Sequence, residues 1–186
     1  MEHKETMPLG VVIERRESSS RWQRWAFQPI AVIPGAPPVE GWREIMTGPG
    51  WVHFHIGTLP AELYRSQTPA YLHNLSMTRP SVYVVLRQDP DAPEDQPYRP
   101  LLVTLSPYEA EEYAISGDEI VDAVAMPDAV MEWMQAYIDK RHVEQPFIKR
   151  QRDKHKEAQT ESPMPLDVYG KPVRGGGNRG GGQGNV

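Results

Sequence analysis

The hexapeptide Trp51-Val52-His53-Phe54-His55-Ile56 alternates between two kinds of residue without a break. Successive side chains of an extended strand point to opposite faces, so Val52, Phe54 and Ile56 share one face and Trp51, His53 and His55 the other. That period of two marks a half-buried strand, and the flanking segments extend the pattern. Upstream, residues 10–13 and 29–33 are β-branched runs, with Ser18, Ser19 and Ser20 between them beside Arg15, Arg16 and Arg21. A hairpin-like pair with a polar loop is expected there. Trp22, Trp25 and Phe27 ride on its second arm. Pro34, Gly35, Ala36, Pro37 and Pro38 then break the chain before residues 42–46, and Gly48, Pro49 and Gly50 form the next turn.

Downstream, residues 62–75 fit either extended structure broken at Pro69 or a short helix after it, and extended structure is the favoured reading. Residues 82–86 are continuously apolar, as in a central strand covered on both faces, and residues 101–105 are its expected neighbour. The acidic, Pro-rich loop 89–100 between them should be exposed. Ser106, followed by Pro107 and Glu109, reads as the N-cap of a capping box opening a short helix near 107–115, which Gly117 ends. Residues 119–125 return as a strand. Pro127 and Asp128 then open a C-terminal amphipathic helix near 127–141, in which Val130, Trp133, Met134, Tyr137 and Ile138 form one stripe and Lys140, Arg141 and His142 face the negative end of the dipole.

These segments predict an α+β fold, mainly an antiparallel β-sheet or a partly closed barrel. The expected organisation is a flexible N-terminus over 1–6, a single β-rich domain over 7–152 and a disordered polar, Gly-rich tail over 153–186. With 186 residues and 39% apolar content, the chain can bury a core. It has no run of about 18 apolar residues and no hydrophobic signal core, so a cytoplasmic protein without membrane insertion is expected. Having no cysteine excludes disulfides, thiolate metal sites and cysteine nucleophiles. Charge is unevenly spread: residues 89–132 hold twelve acids against Arg99, a net of −11, while residues 140–156 hold seven bases against two acids, a net of +5. Such a chain presents either a solvated acidic face with a basic tail or a bipolar docking surface.

Few residues point to chemistry. His53 and His55, two apart on one strand face, are candidate metal ligands, with His73 or a carboxylate as a third; the alternative is a surface or packing pair. No Gly-x-Ser-x-Gly elbow and no phosphate-cradling Gly-rich loop occurs between a strand and a helix. Arg174 and Arg179 among tail glycines resemble RNA-binding arginine–glycine segments, but two arginines are few and an acidic domain repels phosphate. Trp22, Trp25, Trp42 and Trp51 are dense for one β region; most should be core, and an exposed one would serve as a partner anchor. Phe147, with Lys149, Arg150 and Arg152 beyond the long helix, forms the candidate partner-binding element.

Several blocks occur in order: Met7-Pro-Leu-Gly-Val-Val-Ile-Glu-Arg-Arg16, Gln28-Pro-Ile-Ala-Val-Ile-Pro-Gly35, Gly57-Thr-Leu-Pro-Ala-Glu-Leu-Tyr-Arg65, Asn74-Leu-Ser76, Pro80-Ser-Val-Tyr-Val-Val-Leu-Arg87 and Met126-Pro-Asp-Ala-Val130. Over roughly residues 7–152 the chain resembles a proteobacterial domain family of unknown function whose members tend to be encoded beside molybdenum- or tungsten-dependent formate dehydrogenase genes. The resemblance implies a non-enzymatic accessory protein that assists assembly, cofactor loading or stability of such an enzyme, docking on one of its subunits or on another maturation factor and holding no cofactor of its own. Some members carry an automatic label for molybdopterin-guanine dinucleotide biosynthesis, which implies a nucleotidyltransferase as the alternative. That activity needs a Gly-rich loop near the N-terminus, and residues 10–13, Gly-Val-Val-Ile, do not form one. Weak RNA binding through the Gly/Arg tail is a further alternative.

Overall fold

The alternating and β-branched segments build two antiparallel sheets. The structure, a computed structural model, describes residues 4–141. Strands β1 (Glu5–Glu17), β2 (Trp25–Pro34), β3 (Arg43–Gly48) and β4 (Trp51–Leu63) form one sheet in the order β2-β1-β4-β3. The expected hairpin is β1 with β2, in a register running from Leu9 opposite Pro34 to Glu17 opposite Trp25. Both arms are longer than their β-branched cores. Strand β4 then returns along nearly the whole of β1.

Strands β5 (Ser81–Gln88), β6 (Tyr98–Thr104) and β7 (Glu119–Ala125) form the second sheet, with β5 in the middle. Val82, Val84 and Leu86 enter the main core, and Val85, on the opposite face, is buried as well. This is the doubly covered central strand that a continuous apolar run requires. Strand β2 lies against β7 and β4 against β6, but among the described residues no hydrogen-bonded ladder joins the sheets, so the barrel alternative is not realised. Proline explains much of this. Pro29 and Pro34 on edge strand β2, and Pro100 on edge strand β6, lack the N–H that a further ladder needs.

Helix α2 (Pro107–Ser116) packs against β5, β6 and β7, and helix α3 (Asp128–Arg141) closes the main core. The stripe of α3 falls as its spacing predicts: Val130, Met134, Tyr137 and Ile138 are buried, and Trp133 packs half-buried against the same core. The Pro127 carbonyl accepts the N–H groups of Val130 and Met131 at 2.9 and 3.0 Å, setting the first turn. At α2, Ser106 Oγ accepts the Glu109 N–H at 3.3 Å, but the capping box is altered. The Glu109 carboxylate accepts the Thr104 hydroxyl instead of reaching back to Ser106, and Thr104 Oγ1 takes the Ser106 N–H at 3.1 Å. Gly117, at φ 75°, ends the helix in the left-handed region as expected.

Residues 62–75 correct the favoured reading. After β4 comes a 3-10 turn, Arg65–Gln67, and then helix α1 (Thr68–Ser76). Pro69 opens this helix rather than breaking an extended segment, because its fixed φ suits a first turn and its missing N–H has no intrahelical partner there. Among the described residues, no helix is long and apolar enough to cross a membrane. The expected flexible N-terminus lies partly, and the expected tail wholly, outside the described residues.

Candidate docking site

Strand β3 follows directly from Trp42, whose indole fixes where the strand begins. Trp42 Nε1 donates to the Tyr98 carbonyl at 3.1 Å, and its ring meets Phe27 edge-on at 5.9 Å and Phe54 at 5.4 Å. Beyond this anchor, among the described residues β3 pairs only with β4 and forms the outer edge of its sheet. Residues 43–47 are all exposed. Opposite Glu44 and Met46 stand Phe54 and His53, so Ile45 is one residue more than β4 supplies, a β-bulge. Adjacent in sequence, Ile45 and Met46 are 47% and 58% exposed. An edge with one row of free main-chain groups and two exposed apolar side chains can accept an extended segment by strand addition.

His53 and His55 do leave the same face, as alternation requires, but their surroundings part them. The His53 ring lies tilted against Trp51, with ring centroids 4.3 Å apart, and its Nε2 lies 3.0 Å from Glu14 Oε2. Glu14 also accepts from Arg16 Nε at 2.9 Å. Chiefly that arginine, and then His53, hold the Glu14 carboxyl below the usual carboxylate range. His55 is buried, with Nε2 at 2.9 Å from Thr58 Oγ1, whose own proton goes to the Pro37 carbonyl at 2.8 Å. That leaves the histidine as donor to the threonine. His73 lies elsewhere, on α1, stacked on Tyr108. Among the described residues, no three His, Asp or Glu side chains are grouped to hold a metal ion.

The expectation that most of these tryptophans are core is not met, since none of the four is fully buried and only Trp42 packs against the main core. Trp25, Trp42 and Trp51 are half-buried, whereas Trp22, in loop 18–24 closed by the Ser18 N–H to the Arg24 carbonyl, is 93% exposed. Phe147, Lys149, Arg150 and Arg152, and the tail arginines Arg174 and Arg179, lie outside the described residues. Sequence reasoning missed Ile45 and Met46 as surface residues, since an apolar pair before a Gly-Pro-Gly turn is the same pattern as a buried strand end. Only the sheet order exposes them.

The family model described as "Protein of unknown function (DUF3305)" matches residues 8–151. No curated protein and no solved structure matches the chain.

Proposed function

The chain belongs to the DUF3305 family, and from that premise we propose that it is a non-enzymatic docking protein that assists assembly, cofactor loading or stability of a molybdenum- or tungsten-dependent formate dehydrogenase. The observation that carries the docking part is the β3 edge, exposed along residues 43–47, with Ile45 and Met46 beside main-chain groups that no other strand pairs among the described residues. Its occupant is an extended segment of a formate dehydrogenase subunit or of another maturation factor. Main-chain bonds would supply affinity and the two apolar side chains would set the register. The choice of partner rests on the resemblance to proteins encoded beside formate dehydrogenase genes. The basic element at Phe147, Lys149, Arg150 and Arg152 would add a second contact of opposite charge to the acidic domain.

Affinity capture of the tagged protein from its native host grown on formate, read by mass spectrometry, tests this reading. Wild-type protein should recover formate dehydrogenase subunits or a maturation factor, and Ile45→Lys with Met46→Lys should lose them. Both positions are exposed, so the double variant should keep its stability within about 0.5 kcal/mol. Replacing Phe147, Lys149 and Arg150 with alanine should weaken capture without abolishing it. Undiminished capture by the β3 variant would remove the edge from the reading. A preparation that instead carries bound guanine nucleotide or pterin would move the assignment to the nucleotidyltransferase.

A further inference from the structure

A second surface, apart from the β3 edge, has the chemistry of a cation site. An open cleft of about 230 Å3 lies where β2 meets the loop 89–97. Trp25, Phe27 and Tyr98 supply its aromatic surface, Asp89 and Glu94 stand on the loop wall, and Arg24 stands on the other. Its volume is below the roughly 300–1,000 Å3 of sites for small molecules and cofactors. One side chain with the backbone beside it fits; a nucleotide does not.

The walls are held in place. Phe27 and Tyr98 meet edge-on at 5.4 Å, and Trp42 packs behind them. The loop is closed by the Asp89 N–H to the Pro97 carbonyl at 2.8 Å and the Gln96 N–H to the Pro93 carbonyl at 2.9 Å. Arg15 ties it to the sheet, with Nη1 at 3.2 Å from both the Asp95 carbonyl and Asp95 Oδ2. The same guanidinium lies over Trp25 at 4.6 Å and Phe54 at 4.9 Å, its buried Nε having no hydrogen-bond partner among the described residues. Aromatic surface and a carboxylate in one cleft are the two elements that recognise a cation. The protein already demonstrates the first: Arg24, an exposed residue at the end of loop 18–24, lies over Trp25 at 5.0 Å. Of the two carboxylates that line the cleft, Asp89 accepts the Asp91 N–H, which leaves Glu94 as the uncommitted one among the described residues.

We propose that this cleft binds an arginine side chain presented by an extended segment of a protein partner, its guanidinium stacked on Trp25 and paired with Glu94, in the place Arg24 occupies in the free protein. A planar guanidinium can stack and pair at once, whereas a lysine ammonium cannot stack, so arginine is the favoured cation. Arg24 then acts as an internal competitor. Removing it should tighten binding, although it deletes a side chain from the site.

The probes are capped tripeptides, Ala-Arg-Ala, Ala-Lys-Ala and Ala-norleucine-Ala, titrated into the full-length protein and followed by amide and indole NMR shifts. The arginine peptide should move the Trp25 indole and Glu94 amide signals in a saturable way, with the lysine peptide weaker and the norleucine peptide without effect. Glu94→Gln should weaken arginine binding about tenfold, as for loss of a charge-assisted hydrogen bond, and Arg24→Ala should strengthen it. Because both residues are in exposed segments, the same spectra verify the fold of each variant. Equal shifts from the norleucine peptide, shifts spread over the acidic surface, or binding unchanged by Glu94→Gln in a folded variant would overturn the proposal. This experiment needs no formate dehydrogenase, so its failure leaves the β3 reading standing, and the reverse also holds.

Discussion

At residue scale, Gly10 shows how one hydrogen atom in place of a methyl sets the packing of a face. A Cβ there would stand 2.7 Å from both His55 Nε2 and Ala36 Cβ, closer than real contacts allow. His55 is pinned by Thr58, and Thr58 by the Pro37 carbonyl, so the ring and the segment above it cannot yield separately. Gly10→Ala should therefore cost about 1–3 kcal/mol, the usual penalty of overpacking. Urea denaturation would show it, and a loss under about 0.5 kcal/mol, an ordinary surface-substitution value, would mean that the segment lifts freely. Alternation in the sequence correctly placed His53 and His55 on one face. It could not show that Glu14 takes one ring and Thr58 the other, since those partners come from β1 and from the far side of the bulge at Ile56. Metal-ligand spacing on a strand is thus weaker evidence than it looks, because the side chains are free to turn to different neighbours.

The elements that sequence made legible are those whose apolar spacing is itself the reason they form. The stripe of α3, the apolar run of β5 and the alternation of β4 all belong to this group. Helix α1 does not, because its placement depends on a polar residue. Asn74, fully buried, donates from Nδ2 to the carbonyls of Ser81 at 2.8 Å and Leu105 at 2.7 Å and accepts the Ser81 N–H at 2.9 Å. One side chain thereby joins α1 to β5 and to the end of β6. Periodicity counts such a residue as surface. Asn74→Ala would strand three backbone groups, and a loss of about 2–4 kcal/mol is expected, on the scale of buried groups left unpaired. Chemical denaturation measures the loss, and hydrogen exchange should show α1 opening before the β1–β4 ladder. If the variant loses under about 1 kcal/mol, less than one unpaired buried group costs, water has replaced the side chain and α1 is held by its apolar contacts alone. The docking elements were the least legible, since an exposed edge and a cleft are products of strand order, which local pattern does not encode.

For the whole molecule, the uneven charge makes opposing demands as pH falls. Glu14, Glu62 and Glu119 are each held below the ordinary carboxylate value of 4.5, chiefly by hydrogen bonds from Arg16, Lys4 and Arg87. Lys4, just before β1, is thereby tied to β4 and β5 to β7, whereas Arg16–Glu14 lies within β1 and reaches β4 through His53. A carboxylate with a depressed folded pKa contributes stability that is fully present above its unfolded value and lost as pH drops through the folded one. The melting temperature should therefore be level from roughly pH 5.5 to 8 and fall below about pH 4.5. Self-repulsion within residues 89–132, with a net charge of −11 at neutral pH, works the other way, because protonation relieves it. Salt separates the two by distance: repulsion between exposed charges more than about 8–10 Å apart is largely screened at 0.15 M, whereas Lys4–Glu62 and Arg16–Glu14, at 2.6 and 2.9 Å, lie well inside that screening length and weaken less. Added salt should raise the melting temperature at pH 7 and leave the acid limb in place, while the triple variant Glu14→Gln, Glu62→Gln and Glu119→Gln should flatten that limb. An acid limb that persists unchanged in the triple variant would rule out these three pairs as its cause.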